Sequence, residues 1–202
     1  MTAPSTDPDP GPGARADVAG RPAGARSIVM VGMMGAGKTA VGRRVAARLG
    51  WAFVDADQAI EEAAGATIEE IFARHGEPHF RSGERQVIAR LLAEGPKVLA
   101  TGGGAYMDAE TRARIAESGL SVWLRADVDT LVRRTGRRTD RPLLKAGDRR
   151  ETIARLVAQR YPVYAGADIV VDTDDGPPED TVERVLAALG EHGIHPPRET
   201  PR

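Results

Sequence analysis

From Ser27 onward the chain alternates two apolar patterns. Short unbroken runs, of a length that suits buried strands, are followed by longer stretches with apolar residues at every third or fourth position. "SIVMVG" is the first run and ends in glycine. "GKTAVGRRVAARLG" follows, with Val41, Val45 and Leu49 on one helical face and Gly50 placed to cap the end. "WAFVDAD" predicts a second strand. "TIEEIFARHG" sets Ile68, Ile71 and Phe72 on one stripe, and "GERQVIARLLAEG" does the same with Val87, Ile88, Leu91 and Leu92. "KVLATGGG" predicts a strand entering a glycine turn. "LSVWLRAD" predicts another, followed by a helix bearing Val128, Leu131 and Val132. Between Gly136 and Gly147 the apolar period is lost, leaving arginines and "RPLL". A helix resumes near Asp148, which stands in capping-box spacing with Glu151. "ADIVVDT" is a last strand, and Val182, Val185, Leu186 and Leu189 mark a last helix. Strands alternating with helices predict an α/β fold whose parallel sheet is covered on both faces.

The length of 202 residues suits one domain with a sizeable core. Residues 1–26, "MTAPSTDPDPGPGARADVAGRPAGAR", lack the apolar segment of a secretory signal and carry acids foreign to a transit peptide. They read as a disordered leader, and residues 191–202, ending in "HPPRETPR", as a second loose tail. The domain is therefore expected at 27–190. A formal net charge of -1 gives no global field for nucleic acid or anionic lipid. Aromatic residues, 4% of the chain, are too sparse for base-stacking platforms. The absence of cysteine excludes disulfides and thiolate metal sites and fits a reducing, cytoplasmic compartment. No apolar run approaches membrane-spanning length, so no membrane association is expected.

"GMMGAGKT", Gly32 to Thr39, fits G-x-x-x-x-G-K-[ST] in full, with a strand before it and a helix starting inside it. Glycines let the backbone wrap a phosphate chain with its N–H groups pointing inward, and the helix N-terminus adds partial positive charge. In such a loop Lys38 reaches the β- and γ-phosphates and the Thr39 hydroxyl ligates Mg²⁺. A nucleoside triphosphate is the expected ligand. No N-K-x-D stretch that would read guanine is present, which argues against a switch GTPase. The strand "VLAT" ends in Thr101, where many ATPases place a metal-binding acid. Asp172 of "IVVD" imitates that acid but lies on the last strand, so a strand-end role comes first.

That leaves Asp55 and Asp57 of "FVDAD". In extended chain, residues two apart project to one side, so both acids are expected to face together. Like charges so placed need a cation or a substrate proton to account for them; a polar βα turn with a helix N-cap is the alternative. "HFRSGE" adds Arg81 and Glu84 one helical turn apart, which could equally be a surface pair. "TGGG" adds Gly102, Gly103 and Gly104, where a ligand can approach bare backbone or the chain merely turns. "QRYPVYAGAD" adds Arg160 and Tyr164. Histidines 75, 79, 192 and 195 have no ligand-like spacing and read as surface residues.

Taken in order, "GMMGAGKT", "FVDAD", "IFARHGEPHFRSGE", "ATGGGA", "RPLL" and "RYPVYAGAD" resemble the shikimate kinases, from about Ser27 to the last helix. The chain departs from the family pattern at Tyr106, where a smaller aliphatic is expected, and in residues 1–26, which have no counterpart. The resemblance implies a three-layer α/β/α P-loop kinase fold, a five-stranded parallel sheet of order 2-3-1-4-5, and a mobile lid at about 134–148. It implies transfer of the γ-phosphoryl of ATP to the 3-hydroxyl of shikimate, in the route to chorismate and the aromatic amino acids, by a monomer that uses Mg²⁺. By family pattern Gly35, Ala36, Gly37, Lys38, Thr39 and Ala40 surround the phosphates. Arg134 lies against adenine, and Arg141 of "RPLL" is the lid arginine on the ATP phosphates. Asp57, Arg81, Gly102, Gly103, Gly104 and Arg160 bind shikimate. Lys38, Asp57 and Arg141 carry the catalysis, and Asp55 reaches Mg²⁺ through water. Phe72 and Phe80 resemble the aromatic wall of the acceptor pocket, with core packing an equal reading for Phe72. Whether Asp57 is a general base or a positioning group stays open.

Three other readings compete with this one. A nucleic-acid protein would explain the arginines between 133 and 160, but near-neutral charge and scarce aromatics count against it. Another small-molecule P-loop kinase, such as a gluconate kinase, would lack use for the groups that suit a ring. A non-catalytic nucleotide-binding module is disfavoured because every proposed catalytic position holds a competent residue.

Overall fold

The computed structural model describes residues 26–136 and 148–197. Arg141, nearly all of the expected leader and the end of the expected tail lie outside the described residues. Five strands carry the apolar runs: β1 (Ser27–Val31), β2 (Phe53–Asp55), β3 (Val98–Ala100), β4 (Gly119–Arg125) and β5 (Ile169–Asp172). All pair in parallel, in the order β2-β3-β1-β4-β5. This is the α/β class and the strand order expected. Central β1 is buried at every position, so its sequence is a continuous apolar run with no alternation. Edge strand β5 alternates buried and exposed residues and turns Asp172 outward.

Helices α1 (Lys38–Leu49) and α7 (Pro178–Glu191) pack against each other. Their buried stripes are Val41, Val45 and Leu49 on α1, and Val182, Val185, Leu186 and Leu189 on α7. Gly50 ends α1 in the left-handed conformation, as its position predicts. Arg44–Glu179 and Arg48–Glu183 pairs join their exposed rims. Helix α5 (Val128–Thr135) packs on α6 (Arg149–Tyr164), which Asp148 caps by accepting from Arg150 N at 2.7 Å. No helix among the described residues is long and apolar enough to cross a membrane.

Three features differ from the sequence reading. Helix α3 (Ile68–Ala93) runs on where two helices were expected, but it is broken at Gly76, whose φ of 77° and ψ of 173° are not helical, two residues before Pro78. Helix α4 (Ala109–Ser118) was not expected. It buries only Thr111 and Ile115, too few apolar residues to show a period.

The third difference concerns Asp55 and Asp57. Strand β2 ends at Asp55, and helix α2 (Ala56–Ala64) begins at once, with Asp57 in its first turn. The two acids therefore do not share one face of a strand. Asp55 is the N-cap of α2, and its Oδ1 accepts from Asp57 N at 3.1 Å. Helix α2 escaped notice because its buried face is Ala56, Ala59 and Ile60, mostly small residues.

The phosphate loop, the start of α2 and the glycine turn leave the carboxyl ends of β1, β2 and β3. In an open α/β sheet that edge holds the ligand crevice, at the point where strand order reverses. Here the loop after β1 lies between the segments that follow β3 and β4.

Candidate active site

Gly32 to Gly37 lead from β1 into α1. Gly35 and Gly37 have φ of 84° and 95°, and a Cβ on Gly35 would stand 2.9 Å from Thr135 Cγ2. Both backbone and space therefore call for glycine. Gly37 is the N-cap of α1 and supplies no side-chain cap, so the first N–H groups of the helix suit an anion. Lys38 Nζ donates to the Gly32 and Met33 carbonyls at 2.9 Å each, folded back over the loop. Ala36 is fully buried, and Ala40 faces a cavity of about 660 Å³ beside the loop.

Arg134 forms part of that cavity's wall. Its Nη1 donates to Thr173 Oγ1 at 3.1 Å and to Gly35 O at 3.4 Å, and Nη2 donates to Asp174 O. Thr173, Asp175 and Pro178 also line the cavity. The sequence reading did not single these residues out; they stand in "DTDDGPP", which joins β5 to α7. Its run of Asp, Gly and Pro after a parallel strand was the available signal.

Thr39 Oγ1 donates to Asp55 Oδ2 at 2.8 Å. A hydroxyl and a carboxylate at the mouth of a phosphate loop form an oxygen-only donor set. That set fits Mg²⁺, which keeps several waters and takes one or two protein groups beside phosphate oxygens. Asp172 is committed elsewhere. Arg125 grips its carboxylate from Nε at 2.5 Å and Nη2 at 2.7 Å, and the hydrogen bond from Arg125 holds the Asp172 carboxyl below the ordinary range.

The glycine turn after β3 is the floor on which the remaining groups meet. A Cβ on Gly102 would lie 2.8 Å from Asp57 Oδ1 and 3.0 Å from Glu84 Oε1. One on Gly103 would lie 3.2 Å from Arg160 Nη1, and 3.4 Å from both Gly32 O and Met34 N. One on Gly104 would lie 2.6 Å from Arg81 Nη1. Three bare Cα atoms thus touch two acids, two arginines and the phosphate loop. Arg81 is held by Glu84 at 2.7 Å and by Glu77 at 3.1 Å. Arg160, only 8% exposed, donates from Nη1 to Gly103 O at 3.0 Å. Phe80 is buried with its ring 4.7 Å from that of Phe72, and the Arg81 guanidinium lies 5.0 Å from the Phe80 centroid.

Burial pushes the Glu84 carboxyl above its ordinary range, Arg81 opposes this, and Asp57 adds to it as a second negative charge. For Arg81 burial works against the charge, but Glu84 and Glu77 outweigh it and the guanidinium is held ionised. Glu84 Oε1 is buried and accepts no hydrogen bond among the described residues. A buried acceptor left without a donor is costly, so this oxygen is suited to a ligand hydroxyl. The sequence could show Glu84 only as a partner of Arg81; its second oxygen depends on the fold.

Tyr106, the departure from family pattern, is buried in an aromatic cluster, 6.2 Å from Tyr164 between ring centroids. Its hydroxyl stands 3.4 Å from Ser121 Oγ and from Gly166 O, and its larger ring fills space behind the glycine turn.

The family model described as shikimate kinase matches residues 34–190. A shikimate kinase of Bradyrhizobium diazoefficiens is 57% identical over 179 residues, which cover 86% of each chain. One of Rhodopseudomonas palustris is 58% identical over 169 residues, 84% of this chain and 83% of that one. Among solved structures, a shikimate kinase from Acinetobacter baumannii in complex with shikimate superposes with a TM-score of 0.80 at 37% identity, covering 84% of this chain and 95% of that one. With the parallel sheet, the phosphate loop and the glycine floor in place, these likenesses settle its kinship: the chain belongs to the shikimate kinase family.

Proposed function

We propose that the protein transfers the γ-phosphoryl group of ATP to the 3-hydroxyl of shikimate, giving shikimate 3-phosphate and ADP. The observation that carries this reading is the glycine turn of Gly102, Gly103 and Gly104. It bears on Asp57 and Glu84 at one end, on Arg81 and Arg160 at the other, and on the phosphate loop through Gly103. Shikimate has one carboxylate and three hydroxyls, so a site that brings two arginines and two acids around one glycine turn matches it.

In this reading Gly35 to Ala40 hold the phosphates, with Lys38 leaving the loop carbonyls for the β- and γ-oxygens. Arg134 lies against adenine in the cavity it shares with Pro178. Arg81 and Arg160 hold the acceptor carboxylate, and Glu84 Oε1 accepts from a hydroxyl. Asp57 orients the 3-hydroxyl and takes its proton. The acceptor oxygen bonds to the γ-phosphorus as the bond to the β,γ-bridging oxygen breaks, and that oxygen leaves on ADP. Thr39 and Asp55 would hold Mg²⁺, by family pattern through water at Asp55, and the ion would supply charge neutralisation at the phosphates. Arg141, outside the described residues, is assigned to the ATP phosphates on the family pattern alone.

Residues 27–190 form the catalytic unit, acting as a cytoplasmic monomer on small molecules and not on nucleic acid. Phosphorus NMR of the product made from ATP and shikimate tests the proposal. A phosphomonoester at the 3-position is expected; a product at another hydroxyl, or none, would refute it.

A further inference from the structure

Arg160 and Tyr164 stand one turn apart at the end of α6, on the same helical face. Both donate to one atom, the carbonyl oxygen of Gly103. A carbonyl oxygen has two lone pairs, and these two donors occupy both. Tyr164 is fully buried, with its ring packed 5.8 Å from Trp123 and 6.2 Å from Tyr161. Its phenol is therefore the rigid member of the pair, and the long arginine is the adaptable one.

Gly103 is also the residue that meets the phosphate loop, at Gly32 O and Met34 N. The orientation of its peptide thus bears on both halves of the site. Without the phenol, Gly103 O keeps a single donor, and neither the peptide nor the guanidinium edge bound to it has a fixed reference.

We infer that Tyr164 is a positioning residue, whose hydroxyl locks the Gly103 carbonyl and through it sets the Arg160 guanidinium for the carboxylate of the acceptor. The inference rests on the acceptor-site reading above and deepens it. Burial pushes the Tyr164 hydroxyl up to about 12, with Arg160 opposing, so the phenol stays a donor through the neutral range.

The test is Tyr164→Phe, which keeps the ring and removes only the oxygen, compared with Tyr106→Phe. The Tyr106 hydroxyl reaches Ser121 and Gly166 and no proposed substrate contact, so its loss controls for removing a buried phenol. Steady-state kinetics use shikimate and its neutral methyl ester as acceptors, with thermal melts on each protein.

Tyr164→Phe should raise the KM for shikimate by up to roughly tenfold, the loss of one hydrogen bond on the Gly103 carbonyl that also holds Arg160. It should change the KM for ATP, and the KM for the ester, by less than about twofold. Tyr106→Phe should leave all three near wild type. An unchanged shikimate KM in Tyr164→Phe would overturn the inference, as would equal rises for shikimate and ester. If wild-type protein turns over neither acceptor, the functional reading fails instead, so the two failures are distinguishable.

Discussion

Thr39 Oγ1 lies 2.8 Å from Asp55 Oδ2, and the other oxygen of the same carboxylate accepts from Asp57 N at 3.1 Å. One side chain therefore ties the phosphate loop to the first turn of α2, where the acceptor-side acid sits. The helix cap and the proposed metal-side group are the same residue, one oxygen facing each partner.

Asp55→Asn should separate these roles. Asparagine caps helices about as well as aspartate, so the melting temperature should stay near wild type. The Mg²⁺ concentration for half-maximal rate should rise several-fold, because the anionic oxygen is lost. Asp172→Asn, which disturbs only an exposed ion pair with Arg125, should leave the Mg²⁺ titration unchanged. An exchange of these behaviours would refute the metal assignment.

Asp57→Asn should lower kcat by roughly 10²–10⁴-fold, the range for losing a general base. ATP affinity should survive, because Asp57 lies on the glycine-turn side and not in the phosphate loop. Equilibrium binding of ATP beside single-turnover rates checks both halves. Near wild-type turnover would remove Asp57 from the chemistry.

Arg81 can be probed directly and through its neighbour. Arg81→Lys keeps the charge but loses the fork that meets both Glu77 and Glu84. The KM for shikimate should rise at least about tenfold, with kcat changed less, as for a group charged alike in ground and transition states. Gly104→Ala puts a methyl 2.6 Å from Arg81 Nη1, the flexible end of a side chain. It should displace the guanidinium at little cost to stability and again raise the KM. A drop in melting temperature without a KM change would contradict this.

Glu84 carries the pH prediction. Its folded-state pKa is raised by burial above the ordinary value of 4.5, so the folded protein binds its proton more tightly than the unfolded chain. Stability from this group is full below 4.5 and is lost as pH rises through the raised value. Wild type should therefore lose stability relative to Glu84→Gln as pH increases from about 4 towards neutrality. Paired thermal melts across that range would show it, and a relative gain for wild type would reverse the sign of the argument.

Much of this was legible in the chain. The continuous apolar run of β1 and the stripe of Val182, Val185, Leu186 and Leu189 showed sheet and helix, since burial on both faces or on one leaves different periods. The phosphate loop was legible because its geometry demands glycine at fixed places. Helices α2 and α4 were not, because alanine and threonine supply all but one of the buried positions in each. Of the two readings open for Asp55 and Asp57, the structure takes the helix N-cap and not the shared strand face, a choice that the two acids alone could not decide. Nor could the sequence show the second oxygen of Glu84, or the shared hold of Arg160 and Tyr164 on Gly103. Those depend on segments far apart in the chain meeting at one turn.

The central claim is that the glycine floor selects a carboxylated, hydroxylated ring as phosphoryl acceptor. The most direct measurement is coupled detection of ADP release with shikimate, with gluconate and with no acceptor, at saturating Mg²⁺ and ATP. The account predicts sustained turnover with shikimate alone, the other two remaining at a common low background. Equal rates with gluconate, or ATP hydrolysis as fast without any acceptor, would contradict it.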